Sequence, residues 1–280
     1  MDAIYDIMEK ILPFSWVEYN FMKNALLAII IITPLFGMLG TMVINNRMAF
    51  FSDSLGHSAL TGIGVGTLLG IRDTNLSMVM YAVVFALMLN YINRRRTMST
   101  DTVISVFASL SMAAGLMILS RGGNFSRYSS LLVGDILSIS SPEIGLLFII
   151  FIVSLAYWSL CFNKLHCVGV NVTLAKSKNI RTNLVEDTFS ILIAVIVMLS
   201  IKWIGILIVN ALLILPAAAA RNISSNMREY HLFSVLISVF SGIAGLVLSY
   251  YLGSATGPTV VIIASILFFI TFVIGTSRGK

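Results

Sequence analysis

The chain has 280 residues and a formal net charge of +6; 58% of its residues are hydrophobic and only 11% are charged. Soluble domains carry roughly a quarter charged residues, so this composition leaves too little polar surface for a globule in water. It excludes a nucleic-acid binder as the meaning of the positive charge and predicts an all-α, polytopic membrane helical bundle.

The first 23 residues place Asp2, Asp6, Glu9 and Lys10 among apolar neighbours. They lack the positive start and short apolar core of a signal peptide and predict an interfacial amphipathic helix over 1–23. Uncharged runs follow at 24–44, 54–71, 76–93, 102–120, 144–162, 203–220, 232–252 and 259–275. Each is near the roughly 17–25 residues that cross a bilayer as a helix. A ninth run, 188–201, is shorter and spans only by recruiting 183–187 or by lying slanted, so eight or nine transmembrane helices are expected. The runs are unbroken and lack apolar/polar alternation, which favours a helical bundle over a barrel.

With nine spans and Arg94, Arg95 and Arg96 inside, twelve Lys and Arg residues fall on the cytoplasmic side and six outside. Positive residues accumulate inside, so the amino terminus is expected outside and the carboxyl terminus inside. Residues 1–280 read as a single transmembrane domain with two long connections. The segment 121–143 contains LLVGDILSIS and predicts a re-entrant or surface helix; the basic segment 163–187 contains LAKSKNIR and suits a short helix on the cytoplasmic face, against another protein. Cys161 and Cys167 read as unpaired thiols. Asp101, Glu143, Glu186 and Asp187 lie at predicted helix ends, where surface or capping roles are expected. No GxxxxGK[ST] phosphate loop and no HExxH occurs, so any ATP hydrolysis belongs to another chain and an intramembrane protease is disfavoured.

The second run opens FFSDSLGHSALTGIGVG and puts Asp53 and His57 four residues apart. On a helix, that spacing stacks both side chains on one face. A carboxylate oxygen and a neutral imidazole nitrogen suit zinc, and also manganese or ferrous iron. Charge in hydrocarbon costs roughly 2.5–3.5 kcal/mol for Asp, so such groups tend to face water, a partner or an ion. Three readings stay open for the pair: metal or ion handling, a satisfied interior histidine beside a helix-capping aspartate, and a proton relay. Ser58, Thr61, Gly62, Gly64 and Gly66 follow, a stripe suited to close backbone approach inside a bundle or along a pathway. On the run 203–220, the seventh span when 188–201 is counted, Pro216 removes a backbone hydrogen bond and should kink the helix, and Asn210 lies upstream, a combination suited to a part in gate movement.

The stretch RMAFFSDSLGHSALTGIGVG resembles the second-span signature of the membrane permease subunits of bacterial ABC importers for zinc, manganese or iron. Further similar pieces follow in the family's order: DTVISVFASLSMAAGLMILS, LLVGDILSISSPEI around Gly134 and Asp135, IKWIGILIVNALLILPAAAAR around Gly205 and Pro216, and GSATGPTVVIIA around Gly257 and Pro258. Gly56 departs from the Ser or Ala that many relatives place before the histidine, at a cost of about 1 kcal/mol of helix propensity relative to Ala.

The resemblance implies a channel-forming subunit in the bacterial plasma membrane, not itself an enzyme. It implies a homodimer, cytoplasmic ATPase subunits as partners, and an extracytoplasmic protein that delivers the metal. It also implies that Asp53 and His57 contact a passing zinc or manganese ion, with no cofactor bound permanently. Zinc is favoured because the pair contains an imidazole; manganese or iron is the alternative. A proton-coupled secondary transporter, with the same pair as relay, is the competing class.

Overall fold

The computed structural model describes residues 2–11, 14–95, 99–121 and 134–277. Helix is the regular structure found among them. The helices are α1 (Asp2–Ile11), α2 (Asn20–Asn45), α3 (Ala49–Leu68), α4 (Thr74–Arg94), α5 (Thr100–Arg121), α6 (Ser141–Val170), α7 (Val172–Ser177), α8 (Thr182–Ile204), α9 (Ile206–Ile223), α10 (Met227–Leu252) and α11 (Thr256–Ser277). Single 3₁₀ turns stand at Ser15–Glu18 and Ile136–Ser138. Eight helices are long and apolar enough to cross a membrane: α2, α4, α5, α6, α8, α9, α10 and α11. At 20 residues α3 is about 30 Å long, enough to span, but its serines, glycines and Asp53 keep it below their apolarity. The short ninth run does recruit its neighbours, since α8 starts at Thr182.

The remaining punctuation follows from local chemistry. Asp73 caps α4 through the amides of Asn75 and Leu76, Asn171 caps α7, and Asn226 caps α10. Each side-chain oxygen satisfies amides that have no partner within the helix. Glu143 accepts from the Ser140 amide (2.9 Å) and hydroxyl (2.7 Å), a capping arrangement at the start of α6. Of the segment 121–143, residues 122–133 lie outside the described residues; from Gly134 onward it forms one 3₁₀ turn, capped by Asp135. The segment 163–187 is largely helical, holding the end of α6, all of α7 and the start of α8. Helix α9 runs through Pro216 and α2 through Pro34 without interruption.

The chain divides into two compact, interleaved units. The first comprises the described parts of Met1–Thr41, Gly134–Ala156 and Trp203–Lys280. In it α9, α10 and α11 pack on one another, and α10 presents serines to α2: Ser234 donates to the Gly37 carbonyl (2.5 Å) and Ser238 to the Thr33 carbonyl (2.7 Å). Small residues here permit the close helix approach that packing within a bilayer requires. At the other end of α2, Lys23 is buried and ion-paired with Glu9 of α1, as a buried ammonium must be. Tyr5 bonds Asn24 and Ser141, which fixes α1 to α2 and α6.

Two glycines with positive φ meet in this unit. Gly205 (φ 87°) is the single residue between α8 and α9, and the backbone of Gly134 (φ 69°) lies against it. No side chain fits between them, and the conformation itself favours glycine. Two stretches singled out in the sequence, LLVGDILSIS and IKWIGILIVN, are thereby brought together.

The second unit comprises the described parts of Met42–Val133 and Tyr157–Lys202. Its centre is α3 packed on α4 and α5. Ser77 of α4 donates to the Gly62 carbonyl, and Thr61 donates to the Ser111 carbonyl of α5. Tyr81 adds a 2.9 Å bond to the Ser111 hydroxyl. A Cβ on Gly115 would stand 2.6 Å from the Thr61 amide nitrogen, and one on Gly62 would stand 3.0 Å from Met78 Cα. The stripe Ser58, Thr61, Gly62, Gly64 and Gly66 is therefore an interhelix packing surface, buried throughout.

Candidate metal centre

Helix α3 begins at Ala49, after a tight turn in which Arg47 takes a left-handed conformation (φ 57°). The residue at its N-cap position is Met48, which makes no side-chain cap. Asp53 consequently sits inside the helix and does not cap it. At 1.5 Å per residue His57 lies about 12 Å along the axis from Ala49.

The structure brings the two predicted residues together. His57 Nε2 stands 3.7 Å from Asp53 Oδ2, with side-chain exposures of 38% and 52%. That distance is too long for a hydrogen bond, so the pair is poised without being closed on itself. Two ligand atoms on one zinc ion, each about 2.0–2.2 Å from the metal in a tetrahedral set, are about 3.3 Å apart. A small rotation of either side chain would reach that spacing. The other ring nitrogen, Nδ1, is buried and accepts or donates no hydrogen bond among the described residues.

Helix α5 covers part of the same side of α3. Counted at 100° per residue, Thr61 and Gly64 lie within about 40° of His57 around α3. Ser111 covers Thr61, and Gly64 lies against Ile118. His57 and Asp53, one and two turns nearer the start of the helix than Thr61, remain part-exposed. Among the described residues, no group of three or more His, Cys, Asp or Glu side chains is placed to hold a metal. Within one chain Asp53 and His57 are thus a pair, with no third such group beside them among the described residues.

Other sequence expectations fare differently. Two further histidines lie in long helices, His166 in α6 and His231 in α10, where its Nδ1 is 2.7 Å from the Thr41 hydroxyl. The run at 232–252 missed His231 because Met227–Tyr230, which begin the helix, include Arg228 and Glu229. Cys161 and Cys167 are free thiols on α6; six residues apart, they point about 120° from each other around the helix.

Glu186 and Asp187 are not capping groups. Both face α4: the Asp187 carboxylate takes a two-pronged contact from Arg94, at 3.0 and 2.7 Å, and Glu186 lies 3.6 Å from the same guanidinium. Sequence reasoning missed this cluster because its partners are 93 residues apart. A further feature of the second unit is a cavity of about 880 Å³, lined in part by Arg47, Asn90, Arg94, Asp101 and Lys176. Phe51 of α3 lines it, whereas Asp53 and His57 do not.

Comparison with known proteins extends these observations along the chain. The chain is 30% identical over 251 residues to the high-affinity zinc uptake system membrane protein ZnuB of Buchnera aphidicola subsp. Baizongia pistaciae, covering 88% of this chain and 94% of that one. It is 22% identical over 262 residues to the manganese transport system membrane protein MntC of Listeria monocytogenes serovar 1/2a, covering 94% and 93%. Its fold is similar to that of a chain in PsaBC from Streptococcus pneumoniae in complex with Fab, with a TM-score of 0.80 at 21% identity over 97% of this chain and 95% of that one. The family pattern described as ABC 3 transport family matches residues 18–275. With more than nine-tenths of its length matched, this membrane-helical chain belongs to the ABC 3 transport family.

Proposed function

We propose that this chain is the channel-forming membrane subunit of an ATP-driven importer of a divalent metal, zinc ahead of manganese, and that the metal meets Asp53 and His57 on α3. The observation that carries the reading is the pair itself: two suitable ligand groups 3.7 Å apart, part-exposed on a helix of spanning length, in a member of this family. The greater identity to a zinc uptake protein (30%) than to a manganese transport protein (22%) supports zinc. Iron is the further alternative of the same kind.

The chain carries no phosphate loop, so ATP hydrolysis falls to separate cytoplasmic subunits. The short helix α7 and its basic surroundings, Lys176, Lys178 and Arg181, are suited to meet them. An extracytoplasmic metal-binding protein supplies the ion, and a second copy of the chain completes the channel.

As the hydrated ion passes, the Asp53 carboxylate supplies charge and an oxygen ligand, and neutral His57 supplies nitrogen, each in exchange for water. Two ligands are half of a structural zinc set, which is fully occupied and closed. The incomplete set suits transport, where release must follow capture.

The test is uptake of radioactive zinc and manganese by a strain lacking its own importer and complemented with this chain and its partner subunits. The reading expects uptake that survives collapse of the proton gradient while ATP remains, and zinc to be preferred. Uptake abolished by that collapse with ATP present would identify a proton-coupled transporter, with Asp53 and His57 as the relay.

A further inference from the structure

The last turn of α4 is tied to α8 by more than a surface ion pair. Arg94 Nη1 donates to Asp187 Oδ2 at 3.0 Å, and Nη2 donates to Asp187 Oδ1 at 2.7 Å and to the Asn183 carbonyl at 2.8 Å. One turn earlier, Asn90 donates to the same carboxylate at 2.9 Å and to the Ser190 hydroxyl at 3.0 Å. An isolated exposed pair is a weak tie. Here the planar guanidinium is matched to both carboxylate oxygens and to a carbonyl, which fixes direction as well as distance, and the Arg94 and Asp187 side chains are only 30% and 23% exposed.

The neighbourhood makes this tie consequential. Residues 89, 90, 93 and 94 of α4 and 182, 183, 186, 189 and 190 of α8 line the 880 Å³ cavity, so these ends of the two helices border open volume. Polar contacts, more than packing, set their spacing there. Only residues 178–181 separate α7 from α8, and their path is fixed by the Ile180 amide bonding the Ala175 carbonyl (3.1 Å) with Asn179 in a left-handed conformation. From α4 the connection continues to α3, through Ser77 on the Gly62 carbonyl and Met78 against Gly62. Helix α3 carries Asp53 and His57. All of these residues lie in one compact unit.

We propose that Arg94 and Asp187 form a positioning clamp that carries displacement of the α7–α8 corner to α4 and so to the metal pair on α3, coupling ATP use to metal movement. This rests on the reading of the chain as an ATP-driven metal importer subunit. The clamp residues do not touch the metal; they act through α4 and α3. Coupling between distant sites amounts typically to a 5- to 150-fold effect, and a demonstrated pairwise dependence is what separates it from mere proximity.

The test uses the complete importer, with its ATPase subunits and delivery protein, reconstituted in liposomes, and reads zinc accumulated per ATP hydrolysed in protein that elutes as a folded complex. R94Q and D187N are each expected to lower that ratio about tenfold. The double variant should be no worse than either single one, because each alone already opens the clamp. R94K keeps the charge but not the fork, and should recover part of the ratio.

A ratio unchanged in both single variants overturns the proposal. So does a loss confined to the yield of folded complex with a normal ratio in what remains, since that is the mark of a purely structural tie. Wild-type complex that takes up no zinc with ATP overturns the underlying importer reading, and the clamp with it; a coupled wild type with normally coupled variants overturns the clamp alone.

Discussion

At the scale of single residues, the spacing of Asp53 and His57 is legible in the amino-acid sequence, because four residues on a helix make one turn and one face. What the spacing does not tell is where the helix begins. A left-handed Arg47 ends the preceding turn and starts α3 at Ala49, which removes the capping explanation for Asp53. At Gly205, whose φ is 87°, the substitution Gly205→Ala should cost at least about 1–2 kcal/mol from the positive φ; thermal unfolding in detergent reads the loss as a lower midpoint.

At the scale of elements, hydropathy placed the long helices well, because a bilayer demands about twenty apolar residues whatever they pack against. The glycine-rich α3 was recognisable as the uncharged run 54–71 and by its motif, although it is not among the eight helices apolar enough to cross a membrane. The meaning of its small residues was only half legible. Thr61 and Gly64 share His57's side of the helix, yet α5 covers them and leaves His57 part-exposed; which stretch of a face a neighbour covers depends on crossing geometry that one sequence does not encode. The packing makes a sharp prediction. Gly115→Val forces α5 away from the Thr61 backbone and should destabilise the second unit by about 1–3 kcal/mol, seen as lower thermal stability. Thr61→Val leaves the Ser111 carbonyl without its donor and should cost about 1 kcal/mol in the same assay.

At the scale of the whole molecule, membrane class, helical architecture and family were legible because they rest on composition and on several motifs in order, features spread over nearly the full chain. The division into two interleaved units was not, since α2, α6 and α8 each cross from one to the other without a break in the helix, α6 at its middle and α2 and α8 in their last turn. Neither was the Arg94–Asp187 contact, which joins helices 93 positions apart and left each residue looking like an ordinary charge at a helix end. A transport subunit of this kind concentrates its chemistry in very few polar groups, and the account stands or falls with two of them. The most direct measurement is ATP-driven zinc uptake at limiting zinc by the reconstituted importer carrying Asp53→Ala or His57→Ala, with circular dichroism and complex assembly as controls. The account predicts that each variant assembles normally and loses uptake by at least about tenfold, the loss of one metal ligand or its close support. Uptake at the wild-type rate in both variants would contradict it.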